Sequence, residues 1–164
     1  MHMTPKKFLT FLFFLLLFEG IGFFMGQMTA ANIPTWYADL TKSALTPPGW
    51  VFGVVWPALY ALLAAFVTGL LVRKDDIAKS GLLLFILGVQ MILNWVWTPL
   101  FFGAHLTGAA LVCLGAMLSL TLTLYIYVLR EKHIRLSLLT LPYLLWLSFA
   151  FYLNWFIWVH NPVS

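Results

Sequence analysis

Apolar residues run through this chain in long blocks that charged residues hardly enter. No Asp, Glu, Lys or Arg occurs in residues 43–72, 80–129 or 136–164, and Glu19 alone interrupts 8–38. A helix crossing the hydrocarbon core of a bilayer needs about 20 predominantly apolar residues. The blocks 43–72 and 136–164 therefore predict one span each. The uncharged stretch 80–129 predicts two, joined at Gly103-Ala104-His105-Leu106-Thr107-Gly108, and the first block supplies a fifth. Strands of a membrane barrel would read as alternating segments of about 10 residues, and these blocks do not alternate. The pattern predicts an all-α integral membrane protein, one domain over 1–164. Its bundle of five transmembrane helices falls at 8–30, 48–72, 81–102, 108–129 and 136–159, with a long first loop at 31–47.

Composition agrees with that reading. Of 164 residues, 63% are hydrophobic and 9% charged, against roughly 45–50% and 25% in soluble domains. A water-soluble fold of this size has too little interior to hide such apolar surface. The same figures exclude a disordered chain, and Cys113 stands alone, which excludes a disulfide scaffold. Five spans put the N-terminus and the loops near 73–79 and 130–135 on one side. That side holds Lys6, Lys7, Arg73, Lys74, Lys79, Arg130, Lys132 and Arg135, and the other holds Lys42. Basic residues collect on the cytoplasmic side, so the N-terminus is expected in the cytoplasm and the C-terminus opposite. The net charge of +4 thus reports topology and predicts no nucleic-acid partner. Lys6-Lys7, the apolar run Phe8–Phe18 and the small residues Ala30-Ala31 imitate a signal peptide. The apolar run resumes after Glu19 through Met28, long enough to be read as a retained first helix.

Polar residues inside the blocks are the candidates for chemistry. A carboxylate at mid-membrane costs about 2.5–3.5 kcal/mol on insertion scales. Glu19 is therefore expected to face the bundle interior or a partner helix, or to be protonated. Gly22 and Gly26 share its helical face, a small-residue stripe suited to close helix approach or a dimer seam; Gly115 and Ser119 offer a second such face. The loop 31–47 carries Trp36, Tyr37, Asp39, Lys42 and Pro47-Pro48. It is longer than the usual helix–helix connection of about 2–8 residues, and its aromatic pair also suits interfacial anchoring.

Three helices carry stripes at helical spacing: Phe52, Trp56 and Tyr60; Gln90, Asn94, Trp97 and Phe101; Tyr143, Trp146, Ala150 and Asn154. Pro57, inside the second helix, is expected to kink it or to free a carbonyl one turn earlier. Unpaired amides are costly in hydrocarbon, so Gln90, Asn94 and Asn154 should point inward. An inward face of Trp, Tyr, Phe and a few amides suits a cavity for a large, flat, mostly apolar ligand. It equally suits an aromatic core with amides bridging helices, and spacing does not separate the two.

Other chemistry is absent from the pattern. His2, His105, His133 and His160 are scattered, none at metal-ligand spacing, and Cys113 has no partner, so no metal site is expected. His105 or His160 at the outer rim is the remaining candidate for a haem ligand. No nucleophile–base arrangement, phosphate-cradling loop or dinucleotide fingerprint occurs, and no catalytic residue is assigned.

Several motifs occur together, in order, over nearly the whole chain. They are Trp36-Tyr37-Ala38-Asp39-Leu40-Thr41-Lys42; Pro47-Pro48-Gly49-Trp50-Val51-Phe52; Val55-Trp56 with Tyr60; Gln90, Asn94 and Trp97; Thr98-Pro99; Phe101-Phe102-Gly103; and Pro142-Tyr143-Leu144, Trp146, Phe149-Ala150 and Leu153-Asn154. This set resembles the TspO/MBR family, the tryptophan-rich sensory proteins of bacteria and their relative, the mitochondrial translocator protein. The resemblance implies five packed helices, commonly a homodimer, and a pocket with the first loop folded over it as a lid. It implies a porphyrin- or haem-type tetrapyrrole as ligand, with no further cofactor required. By motif position the ligand residues would be Trp36, Trp50, Trp56 and Tyr60; Gln90, Asn94, Trp97 and Phe101; and Tyr143, Trp146, Phe149 and Ala150.

The role implied is a membrane binding protein acting as sensor, carrier or regulator of tetrapyrrole handling under stress. Light- and oxygen-dependent porphyrin degradation and transport of hydrophobic ligands are alternatives that the resemblance also carries. A bacterial cell membrane is expected from the basic bias, with the outer membrane left open. Ser43-Ala44-Leu45 after Lys42 departs from the proline and aromatics usual in the family. The sterol-associated positions near the end of the last helix hold Trp155 and Val159, and no basic residue follows Arg135, so cholesterol recognition does not carry over. The family pattern gives no reason for Glu19.

Overall fold

The computed structural model describes residues 4–161; His2 lies outside them. Helix α1 (Pro5–Asn32) starts where Thr4 accepts the Lys7 amide on its side-chain oxygen at 3.4 Å and Pro5 takes the first helical position. Proline is suited there because the first amides have no intrahelical partner. At 1.5 Å per residue the 28 residues reach about 42 Å, enough to cross a bilayer core of about 30 Å with an end in each headgroup zone. A four-residue turn of helix, α2 (Trp36–Asp39), lies in the first loop. The second span is α3 (Gly49–Val72), which starts directly after Pro47-Pro48. Next come α4 (Ser80–Thr98), continued by a π-helical turn (Pro99–Gly103), and α5 (Thr107–Arg130). The short α6 (Ile134–Ser137) and α7 (Leu141–His160) complete the chain. Five stretches are long and apolar enough to cross a membrane, and among the described residues there is no strand.

Two elements differ from the sequence pattern, each at a proline. Pro99 has no N–H to donate, and the ladder widens there: Ala104 N–H reaches the Pro99 carbonyl at 2.8 Å, five residues back. This shift rotates the helix end and turns both Phe101 and Phe102 into the interior, 2% and 6% exposed. The last span, expected as one helix over 136–159, is instead α6 and α7 separated by a tight turn. Thr140 N–H bonds Ser137 O at 3.0 Å, and Leu141 N–H bonds Leu138 O at 3.3 Å. Pro142 cannot supply the amide that Leu138 would need in a continuous helix, and it fits the first turn of a new one.

Helix α1 packs on α3 and α4, α4 on α5, and α5 on α7, while α3 and α7 barely touch along their backbones. The half of the bundle toward the basic loops is solid. There Leu63, Phe66 and Leu70 of α3, Leu83 and Leu87 of α4, Leu124 and Val128 of α5 and Leu147 of α7 form one buried cluster. Toward the opposite end the helices diverge, and the gap between α3 and α7 is bridged by rings: Phe52 and Trp56 approach Trp146 at 5.9 and 6.5 Å between centroids.

Candidate ligand cavity

The diverging helices enclose a cavity of about 410 Å³ between α1, α3, α4, α5 and α7, within the common range of about 300–1,000 Å³ for ligand pockets. The stripe Phe52, Trp56 and Tyr60 of α3 lines it completely. From α4 and its π turn come Asn94, Trp97 and Phe101, and from α7 Trp146, Ala150 and Asn154. Seven of the twelve sequence-derived ligand residues thus meet on this wall: Trp56, Tyr60, Asn94, Trp97, Phe101, Trp146 and Ala150.

The other five lie elsewhere. Gln90 and Tyr143 are wholly buried, one layer behind the wall. Phe149 is half-buried with its ring 5.8 Å from that of Trp146. Trp50 is 70% exposed at the start of α3, on the outer surface of the bundle. Trp36 belongs to the lid, stacked on His105 with centroids 4.0 Å apart and planes 10° from parallel, and edge-on to Phe101 at 5.5 Å. Its neighbour Tyr37 faces the cavity instead. The sequence pattern found this aromatic pair, but which ring points inward depends on how α2 is set on the bundle.

Residues without aromatic rings or amides were missed as lining groups. Gly53 and Pro57 share the α3 face with Trp56 and line the cavity. Pro57 lacks the N–H that would bond the Gly53 carbonyl, so this carbonyl loses its usual intrahelical partner, yet α3 runs on without a break. The stripe Glu19, Gly22 and Gly26 also lines the cavity, with Glu19 and Gly22 half-buried and Gly26 exposed. At Gly22 the Tyr60 ring lies against the backbone, in space that a Cβ would occupy. Gly115 instead approaches Phe151, at 3.5 Å from an added Cβ.

The amides are held in a chain behind and below the aromatic wall. Tyr60 O–H donates to Asn94 Oδ1 at 2.7 Å, and Asn94 Nδ2 donates to Tyr143 Oη at 2.8 Å. Gln90 Nε2 also donates to Tyr143 Oη. Gln90 Oε1 has no partner among the described residues. Nearer the lid, Trp97 Nε1 donates to Asn154 Oδ1 at 3.1 Å, and Asn154 Nδ2 donates to the Thr107 carbonyl at 2.8 Å. Trp97 is further fixed by stacking on Phe101, with centroids 4.9 Å apart and planes 17° from parallel. These bonds satisfy the amides that hydrocarbon could not and hold the wall rings in place.

The lid is tied down on several sides. Lys42 Nζ donates to the carbonyls of Tyr37, Ala38 and Leu40 at 2.7, 2.8 and 2.9 Å and sits 5.1 Å from the Tyr37 ring centroid. A cation at the C-terminal end of α2 complements the unpaired carbonyls there. Thr41 N–H donates to Asn161 Oδ1 at 2.8 Å, and Asn161 Nδ2 returns a bond to Thr41 O at 3.0 Å. Ser43 Oγ pairs with Tyr152 Oη at 3.0 Å. Burial pushes the Tyr37 hydroxyl above its ordinary pKa, so it stays protonated at neutral pH. Among the described residues no three or more His, Cys, Asp or Glu come together. His105 is stacked on Trp36 and His160 on Phe156, and neither lines the cavity.

Fold and site together define a multi-pass integral membrane protein with an aromatic-walled cavity that residues of the first loop help to line. Comparison with known proteins places it further. The model of the TspO/MBR family matches residues 13–159, and the chain belongs to that family. It is 38% identical over 149 residues to the tryptophan-rich protein TspO of Archaeoglobus fulgidus, covering 87% of this chain and 90% of that one. It is 37% identical to the protein CrtK of Rhodobacter capsulatus over 77% of this chain and 79% of that one. To the bovine translocator protein it is 34% identical, with 90% and 88% covered.

Proposed function

We propose that this protein is a membrane-embedded receptor for porphyrin-type tetrapyrroles, serving as sensor, carrier or regulator of their handling. The observation that carries the proposal is the cavity itself: a space of about 410 Å³ walled by Phe52, Trp56, Trp97, Phe101 and Trp146. A flat macrocycle gains from such walls both apolar burial and ring contacts of about 0.5–1.5 kcal/mol each. Asn94 and Asn154 offer polar atoms at its edges. Among the described residues no histidine lines the wall, and what its rings supply is contact with the face of the macrocycle. Relatives named as tryptophan-rich and translocator proteins agree with a sensing or carrying role. The excess of basic residues in the loops at the solid end supports a cytoplasmic position for that end, with the lid on the opposite side. A homodimer would use the apolar outer face of α1, where Phe13, Leu16 and Phe24 are exposed.

The test is a titration of the purified protein with protoporphyrin IX in darkness, followed by the porphyrin's own absorbance. Saturable binding is expected, weakened about tenfold or more, about 1.4 kcal/mol, in the Trp56→Ala/Trp146→Ala double variant. A folded double variant with undiminished affinity would remove the cavity as the site. Illumination of the loaded protein then separates binding from degradation. A protein-dependent product spectrum speaks for the enzyme, and bleaching identical to that of free porphyrin speaks for the receptor.

A further inference from the structure

We infer that Glu19 is a ligand-recognition residue: it selects flat ligands that present an N–H or a protonated nitrogen at its depth, and rejects those that present a carboxylate there. The inference rests on the reading of the cavity as a ligand site and specifies the chemistry of its inner end. Glu19 lies near the midpoint of α1, lines the cavity, and is the charged residue on a wall otherwise built from aromatic, aliphatic and neutral polar side chains. Among the described residues no hydrogen bond or ion pair engages its carboxyl group. The polar side chains at that level are already committed to each other, Tyr60 to Asn94 and Asn94 to Tyr143. What Glu19 offers the cavity is therefore acceptor capacity without a donor to meet it.

The surrounding residues explain why that capacity faces the ligand and not a neighbouring helix. Gly22, one turn on, carries no side chain, and the Tyr60 ring fills the space beside it. Gly26, two turns on, has no atom within 4 Å of where a Cβ would stand. The face of α1 that continues from Glu19 toward the lid is thus open to the cavity. Pro57 across the cavity adds to the same bias, because the Gly53 carbonyl on this wall has lost its helical donor. A ligand nitrogen bearing hydrogen meets an acceptor in this apolar setting, where charge-assisted hydrogen bonds are strongest. A ligand carboxylate would have to share the site with the Glu19 carboxyl group, and two carboxyl groups side by side do not both ionise without cost. For a tetrapyrrole this fixes orientation: the acidic edge lies toward the lid, and the nitrogen-bearing face is the part that reaches the depth of Glu19.

A series on one ring system tests it: 9-aminomethylanthracene, anthracene and 9-anthracenecarboxylate, flat probes whose substituent is cationic, absent or anionic. Each is titrated into the full chain in nonionic detergent micelles at neutral pH and read by tryptophan quenching. The wild type is expected to prefer the cationic probe over the anionic one by about tenfold or more. Glu19→Gln, which keeps size and polarity, should bring the two within about threefold of each other while anthracene affinity is unchanged. Glu19→Ala serves as a second variant with the same expectation, and anthracene binding in each variant reports that the cavity is intact. A charge preference identical in wild type and both variants, with anthracene still bound, overturns the role of Glu19 and leaves the cavity reading standing. No saturable binding of any probe to the wild type removes the cavity reading, and this inference with it.

Discussion

Tyr143→Phe is the most informative single change that the structure offers. Tyr143 is wholly buried, and its hydroxyl receives Asn94 Nδ2 at 2.8 Å and Gln90 Nε2. Phenylalanine keeps the ring and removes this shared acceptor, leaving two amide groups without it at positions 0% and 4% exposed. In water-soluble proteins an orphaned buried polar group costs about 1–3 kcal/mol, which would give roughly 2–6 kcal/mol for the pair. Inside a membrane the unfolded helices also find partners, and measured interhelical hydrogen bonds average ~0.6 and reach ~1.7 kcal/mol. The second scale applies, because neither folded nor unfolded amides at this depth meet bulk water. Two bonds then predict a loss of about 1–3 kcal/mol. Asn94 keeps the Tyr60 hydroxyl on its other end, which limits its rearrangement. The assay is reversible unfolding in mixed micelles of mild detergent and dodecyl sulfate, followed by tryptophan fluorescence. Adding Gln90→Leu to Tyr143→Phe should recover part of the loss, since one orphan is thereby removed. A Tyr143→Phe variant as stable as wild type to within about 0.3 kcal/mol would refute the view that this hydroxyl organises the wall.

Two further outcomes follow from local geometry. Gly22→Ala forces a methyl group into the Tyr60 ring and should cost about 1–3 kcal/mol by displacing it; Gly20→Ala, which meets open space, should not destabilise in the same unfolding assay. Lys42→Met removes the cation that holds three carbonyls of the lid. A loss of roughly 1 kcal/mol at this half-exposed site implies about fivefold faster hydrogen exchange in residues 36–40. Unchanged exchange there would show that the Asn161 and Ser43 contacts alone fix the lid.

The stripes in α3, α4 and α7 show how far the candidate site could be read in advance. Phe52, Trp56 and Tyr60 all line the cavity because α3 stays regular past Pro57 and a 3.6-residue repeat keeps its face constant. Gln90 and Tyr143 share their stripes with lining residues yet lie behind the wall. A helical face is broad, and neighbouring helices decide which part of it meets the cavity. Trp50 carries the same side chain as Trp56 and is exposed, since its position at the first turn of α3 points away from the bundle. Phe102 could not be assigned to the interior by spacing at all, because the π turn at Pro99 changes the repeat there.

The amino-acid pattern is enough to predict five apolar spans, each within a few residues of a helical stretch long and apolar enough to cross a membrane, and the family to which the chain belongs. Those properties follow from local quantities: the length of each apolar block, the placement of charges, and motifs that are contiguous or nearly so. Packing between distant segments set α3 and α7 apart at one end and left a cavity there. It also decided that Tyr37 and not Trp36 turns into that cavity, and that Glu19 opens onto it. Each depends on atoms far apart in the chain, such as Trp146 against Phe52 or Asn161 against Thr41. Whether a stripe becomes wall or core is set by how closely the opposing helix approaches, a distance that no periodicity in one helix encodes.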